Sequence, residues 1–196
     1  LNPETVKAEP AIASSWSVND DATVYTFNIR KDLIFHNTES FKARKVTPQD
    51  VKDCFTALCH GKDRNFYSDF FTQKVKGASD YFEATKNNDN LDLQVEGLKV
   101  LNDSTFVIEL NKSFRGFEKF LTIGVFVVYP PEIFKDGDYD NLNKAIGTGP
   151  FKVKNIKDNE TIELVKNENY WKKDEEGFSL PYLEGVSFTF PDSKTK

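Results

Sequence analysis

From Thr23 to Arg30 apolar and polar residues alternate one by one, with Tyr25, Phe27 and Ile29 set against Val24, Thr26 and Asn28. Strict alternation rich in aromatic and β-branched residues predicts a strand with one buried face. A shorter stretch, Trp16 to Asn19, precedes it, and Asp20-Asp21 joins the two. Ala13 to His36 therefore reads as an antiparallel hairpin with Trp16 buried. Leu1 to Ala13, with two prolines and an Ala-Ile-Ala run, reads as an extended lead-in, and His36 to Lys45 as polar and turn-like.

The period then becomes helical. Thr47-Pro48-Gln49-Asp50 combines an N-cap hydroxyl, a proline at the first helical position and a carboxylate facing the free N–H groups of the first turn. Val51, Cys54, Phe55 and Leu58 follow at i, i+3, i+4 and i+7, one buried stripe, and Gly61 closes the helix. Phe66, Tyr67, Phe70 and Phe71 form an aromatic cluster that fits either core rings on a short helix or rings lining a cleft. Gly77 to Thr85 reads as a further short helix, and Lys86 to Asn90 as a polar loop.

A second hairpin turns at Asn102-Asp103-Ser104 and returns from Thr105 to Leu110, in the style of the first, so the two are expected to share one antiparallel sheet. Ser113 to Ile123 carries Phe114, Phe117, Phe120 and Leu121 at helical spacing. Val125 to Tyr129 is continuously apolar between Gly124 and Pro130-Pro131, which predicts a strand buried on both faces, and the prolines open a short helix through Phe134. Asp136 to Ala145 is acidic and turn-rich. Gly147-Thr148-Gly149-Pro150 lacks the spacing and the Lys-Ser/Thr of a phosphate loop, so it reads as a bend into a third hairpin, Phe151 to Ile156 and Thr161 to Val165. A last strand runs from Val186 to Phe190. The pattern as a whole predicts an α+β fold, antiparallel hairpins packed with helices.

Composition narrows the function. Among 196 residues there are 18 Phe, so the core is expected to be phenylalanine-rich. The net charge of −5 carries no clustered basic face, which argues against nucleic acid as a partner. Cys54 and Cys59 sit five apart on the predicted helix and read as small buried residues; neither they nor His36 and His60 have metal-ligand spacing. No metal, cofactor or catalytic residue is expected, because no nucleophile and base recommend themselves by spacing and the carboxylates scatter over predicted loops. No apolar run is long enough to span a membrane and no leader opens the chain. It begins at Leu1 and holds no methionine, so a piece of a longer protein is expected.

Several stretches resemble one family in order. They are the string from Ala13 to His36, V-T-P-Q-D-V (Val46 to Val51), the helix start at Gly77, G-L-K-V-L-N-D-S-T-F-V-I-E-L (Gly97 to Leu110), G-T-G-P-F-K-V (Gly147 to Val153), L-V-K-N-E-N-Y-W (Leu164 to Trp171) and P-Y-L-E-G-V-S-F (Pro181 to Phe188). Together they are similar to the family 5 extracellular solute-binding proteins, the oligopeptide-, dipeptide- and nickel-binding components of ABC importers. Two departures stand out. Ala22 replaces the glycine usual after Asp-Asp, and His36 to Ser40 replaces a shorter His-Asp-Gly turn.

The resemblance implies a bilobed periplasmic-binding-protein fold of type II. Residues 1–129 would form a subdomain of the first lobe and 130–196 the return segment into its main sheet, the second lobe being absent. It further implies capture of a peptide or other small solute by lobe closure, delivery to an ABC permease in the membrane, and a place outside the cytoplasm, in a periplasm or lipid-anchored at the cell surface. Phe66 and Tyr67, where the family places a cleft-facing aromatic, and Phe126 are the expected ligand contacts. An alternative is a sensory or receptor module of the same fold without transport. A chain that lacks one lobe exposes surface that lobe would cover, so self-association is expected.

Overall fold

In a computed structural model, residues 2, 4–39, 41–62, 66–87, 93–134 and 145–190 are described. The Phe66 side chain, residues 88–90 of the polar loop and residues 136–144 of the acidic segment lie outside that set. The chain divides into two compact units, one of residues 1–31 and 47–128, the other of residues 32–46 and 129–196. The contiguous division expected at residue 129 thus differs from the packing in one stretch, 32–46, which joins the later residues.

The first unit is built on the two predicted hairpins. Strands β1 (Ala13–Val18), β2 (Val24–Ile29), β5 (Leu98–Val100) and β6 (Thr105–Glu109) form one antiparallel sheet in the order β1-β2-β6-β5. Tyr25, Phe27 and Ile29 are buried as the alternation requires, and Phe27 faces Phe106 across the β2–β6 ladder. Trp16, expected to be buried, is only half-buried, because β1 is the edge strand and the residues on either side of it are exposed.

Helix α1 (Pro48–Leu58) begins as its sequence dictates. Thr47 Oγ1 accepts from the Asp50 N–H, and the Asp50 carboxylate accepts in turn from the Thr47 N–H at 2.7 Å, a reciprocal capping box. Val51, Cys54 and Phe55 are buried along its stripe. Helix α2 (Phe66–Lys74) takes up the aromatic cluster and α3 (Ala78–Thr85) follows. Gly77, at φ 70°, caps α3 in the left-handed region where a side chain is strained.

Two expectations in this unit are corrected. The helix expected over Ser113–Ile123 shrinks to α4 (Phe117–Phe120), because Gly116 at φ 90° breaks the segment and Phe114 is drawn to β2's turn by donating its N–H to the Ala22 carbonyl. The strand expected over Val125–Tyr129 does not form. The chain turns through residues 121–126, with the Phe126 N–H on the Ile123 carbonyl at 3.0 Å, and among the described residues no ladder partner runs alongside it. Phe126 and Val128 are buried while Val127 is 56% exposed, so only one side of this run meets the core.

The second unit contains a two-stranded ribbon, β3 (Ile34–Phe35) with β4 (Arg44–Lys45), in a segment whose pattern reads only as turn. Two-residue strands are too short to show a period. Arg44 makes a bidentate ion pair with Glu132, Nε to Oε1 at 2.6 Å and Nη2 to Oε2 at 2.7 Å, in the 3-10 turn Pro131–Phe134, and its guanidinium lies 5.1 Å from the Phe35 ring centre. Strands β7 (Phe151–Lys157), β8 (Thr161–Lys166) and β9 (Gly185–Thr189) form an antiparallel sheet in chain order.

The bend before β7 is held by side chains. Buried Asn167 donates from Nδ2 to the Gly149 carbonyl at 2.8 Å and accepts the Asn169 N–H at Oδ1. His36 donates its backbone N–H to the Gly147 carbonyl at 3.1 Å.

Candidate functional site

The first unit carries a partly open cavity of about 300 Å³. Its walls come from three strands, α1, the segment from α4 onward and the lead-in. Phe27 and Ile29 of β2, Phe106 of β6 and Trp16 of β1 supply one side; Val51 and Phe55 of α1 meet them; Leu121, Phe126 and Val128 follow α4. The lead-in from Ala8 to Ala13 completes the wall. A volume of this size suits a small apolar group, with polar atoms fixing its orientation.

The rings set the geometry. Phe126 lies 4.8 Å from Phe120, 5.4 Å from Phe71 and 5.9 Å from Phe55 between ring centres, and Phe55 lies 5.8 Å from Phe106. These are tilted and edge-on pairs, the arrangement ring quadrupoles favour, and Phe71 and Phe120 back the wall from behind Phe126. Three polar side chains reach the cavity: Glu9, Glu118 and Thr122. Glu9 accepts from Asn2 Nδ2 at 2.6 Å and Thr122 donates to the Lys119 carbonyl at 2.7 Å. Beneath the sheet, burial pushes the Tyr25 phenol above its ordinary range, and the nearby Glu118 carboxylate adds to that. The wall is thus apolar with acidic residues on it, a surface for binding by shape.

Two thiols lie elsewhere in the same unit. Cys59 is buried and donates its thiol to the Phe55 carbonyl at 3.3 Å; burial pushes that thiol up to about 12, far from the thiolate a nucleophile needs. Cys54 is likewise a buried thiol outside any disulfide. Among the described residues no three His, Cys, Asp or Glu side chains gather to hold a metal ion, and no helix is long and apolar enough to cross a membrane.

The three residues singled out by sequence fall in different places. Phe126 is 8% exposed and lines the cavity. Tyr67 stands on the first turn of α2, 39% exposed, and is not part of that wall. Phe66 opens the same helix. Trp16, Phe27, Phe55 and Phe106 line the cavity too. Their periodic spacing marks them as core, and nothing in that spacing distinguishes a ring facing a void from one facing another ring.

Comparison with known proteins adds what geometry alone does not. The model of the bacterial extracellular solute-binding proteins, family 5 middle, matches residues 7–196. Heme-binding protein A of Haemophilus influenzae is 33% identical over 170 residues, covering 84% of this chain and 29% of that protein. Di/tripeptide-binding protein 1 of Pseudomonas aeruginosa is 31% identical over 175 residues, covering 86% and 31% respectively. Among solved structures, OppA of Listeria monocytogenes bound to peptide superposes with a TM-score of 0.73 at 22% identity, covering 92% of this chain and 33% of that one. The chain spans less than a third of these curated relatives.

Proposed function

Because this chain belongs to the family 5 bacterial extracellular solute-binding proteins, we propose that it forms part of the first lobe of a peptide-capturing subunit that delivers its cargo to an ABC permease. The observation that carries this reading is the family match over residues 7–196, reinforced by the likeness of fold to peptide-bound OppA. The family is one of solute-binding proteins that work outside the cytoplasm, in a periplasm or at the cell surface, and binding followed by release needs no bond to be made or broken.

In this reading residues 1–129 are a subdomain of the first lobe and 130–196 lead into its main sheet, with 32–46 already packed among the latter. Phe66, Tyr67 and Phe126 contact the solute. Tyr67 suits that role through partial exposure on a helix, since a tyrosine offers a large surface with few torsions to freeze. Phe126 suits it through the cavity it lines. Affinity then comes from contacts made better in a closed state than in an open one.

Titration calorimetry on the protein expressed from its own gene, with pools of short peptides, tests the assignment. Saturable heat is expected, and Tyr67→Ala should weaken binding by about 1–3 kcal/mol, as for an aromatic anchor, while leaving the melting temperature in place. No heat from folded protein, or wild-type affinity in Tyr67→Ala, would count against it. The name of the Haemophilus relative gives the same experiment a second arm: haem titrated in place of peptide, followed by its absorbance.

A further inference from the structure

The bend of residues 145–150 is held at its two ends by side chains of different chemistry. At the first end the His36 backbone N–H donates to the Gly147 carbonyl at 3.1 Å, and ring Nε2 donates to the Ala145 carbonyl at 3.2 Å. One histidine thus grips Ala145 and Gly147, with buried Ile146 between the two contacts. At the other end Asn167 donates Nδ2 to the Gly149 carbonyl at 2.8 Å and its backbone N–H to the Pro150 carbonyl at 2.9 Å. Asparagine has no proton to gain or lose near neutral pH; histidine has.

The two partners of the His36 contact differ in how firmly they are built in. β3, which runs into His36, is paired with β4, and the Leu33 carbonyl accepts the Val46 N–H at 3.1 Å. Phe35 is fully buried under the Arg44 guanidinium, which Glu132 engages in turn. The bend belongs to no strand, and the contacts just named are what tie it down. All of these groups belong to the second unit.

His36 is 3% exposed, and its Nδ1 is buried with no hydrogen-bond partner among the described residues. A second ring proton would place a donor without an acceptor, and a positive charge, inside the fold, and both are penalised there. The charges around the ring do not relieve this. Residues 145–150 carry no titratable side chain. β4 presents Arg44, engaged by Glu132, and exposed Lys45. β7 presents Lys152, whose positive charge adds to burial in holding the ring neutral, against the Ala145 carbonyl.

We propose that His36 is a proton-operated latch: on taking up a proton its ring leaves the Ala145 carbonyl, and residues 145–148 swing away from His36 while Asn167 keeps hold of Gly149 and Pro150. Opening lets both ring N–H groups donate to water and frees the His36 backbone N–H. Near and above the ordinary histidine value of about 6.5 the latch is closed. Below it each opening takes up one proton, so the open fraction rises about tenfold per pH unit until the lower value of the closed state is reached. A family of extracellular proteins meets the pH of its surroundings directly, and this latch would report it.

Amide exchange of the full chain, read residue by residue by NMR between pH 7.5 and 5, tests this. The N–H of His36 reports the latch, and that of Lys166, bonded to the Glu184 carbonyl within the sheet, reports opening of the whole unit. Protection at His36, corrected for intrinsic exchange, should be at least about tenfold below that at Lys166 and insensitive to low denaturant, the mark of local opening. Below pH 6.5 it should fall by about tenfold per unit. His36→Gln keeps an Nε2 donor for the Ala145 carbonyl and cannot take up the proton, so protection at residue 36 should lose that pH dependence. The wild-type comparison of His36 with Lys166 needs no variant to fold. Equal protection and equal denaturant sensitivity at the two amides would overturn the proposal, as would an unchanged pH dependence in His36→Gln or a His36 ring that titrates at or above 6.5.

Discussion

Ala22 occupies a backbone conformation that side chains avoid, φ 50°, while almost fully buried. It is held there by the turn after Asp20-Asp21. Its N–H donates to the Asn19 carbonyl at 3.0 Å, and the Asn19 side chain accepts the N–H groups of both Thr23 and Val24 at 2.9 Å. The left-handed region costs an ordinary residue about 1–2 kcal/mol, a cost that glycine would not carry. Here the buried methyl, worth roughly 0.8 kcal/mol, offsets part of that cost. The departure was legible in the sequence as an oddity; only the backbone shows that Ala22 keeps the turn and takes the strain.

His36 is the residue through which pH should act. It is 3% exposed, its Nε2 lies 3.2 Å from the Ala145 carbonyl and so carries the proton, and its Nδ1 is buried with no hydrogen-bond partner among the described residues. Burial holds its pKa below the ordinary histidine value, the Ala145 carbonyl partly opposes this, and the positive charge of Lys152 reinforces it. The unfolded chain therefore takes up the proton first as pH falls. Stability contributed by neutral His36 is complete above the unfolded pKa near 6.5 and is lost progressively as pH drops toward the lower folded value. Melting temperatures of wild type and His36→Asn, compared between pH 7.5 and 5, should diverge, the wild type falling more steeply. Parallel curves would remove His36 from the account.

At the scale of elements, what the sequence showed and what it hid divide along physical lines. Hairpins and α1 were readable because local forces specify them: alternation, acidic turns and the Thr47–Asp50 box agree with tertiary burial. The box gives a direct check. Thr47→Ala removes the hydroxyl that accepts the Asp50 N–H and leaves a buried carboxylate with one donor fewer. Chemical denaturation should show a loss of about 1–2 kcal/mol with an unchanged denaturant slope; a change within a few tenths would mean that packing alone fixes the helix start.

The failures came where local pattern and context disagree. Phe114 to Leu121 has helical spacing, yet Gly116 in the left-handed region separates Phe114 from the four-residue α4. Val125 to Tyr129 has the composition of a buried strand, but a strand exists only where a neighbour offers a ladder, and among the described residues none runs beside it. Its apolar residues instead pack by alternate burial, with Phe126 and Val128 inward. The β3–β4 ribbon was hidden for the opposite reason, being too short for any period.

For the whole molecule, the order of motifs carried more than any single one. Their clustering at turns has a structural basis. The glycines and proline of residues 147–150 are fixed by Asn167 and by the His36 backbone, so motifs far apart in sequence meet in one unit. The fold class and the family were therefore legible. The cavity was not, because ring spacing along a strand or helix reports burial without reporting what the ring faces. The wall assembled from Trp16, Phe27, Phe55 and Phe126 depends on the lead-in and on the turn after α4, neither of which has a periodic signal.

The central claim is that the protein to which this chain contributes captures peptides. Mass spectrometry of material carried by the protein, expressed from its own gene and purified without denaturation, tests that claim most directly. Short peptides in amounts comparable to the protein, released on unfolding and absent from a parallel purification of an unrelated protein, are the predicted result. Folded protein that carries no peptide and shows no mass shift after incubation with a peptide pool would contradict it.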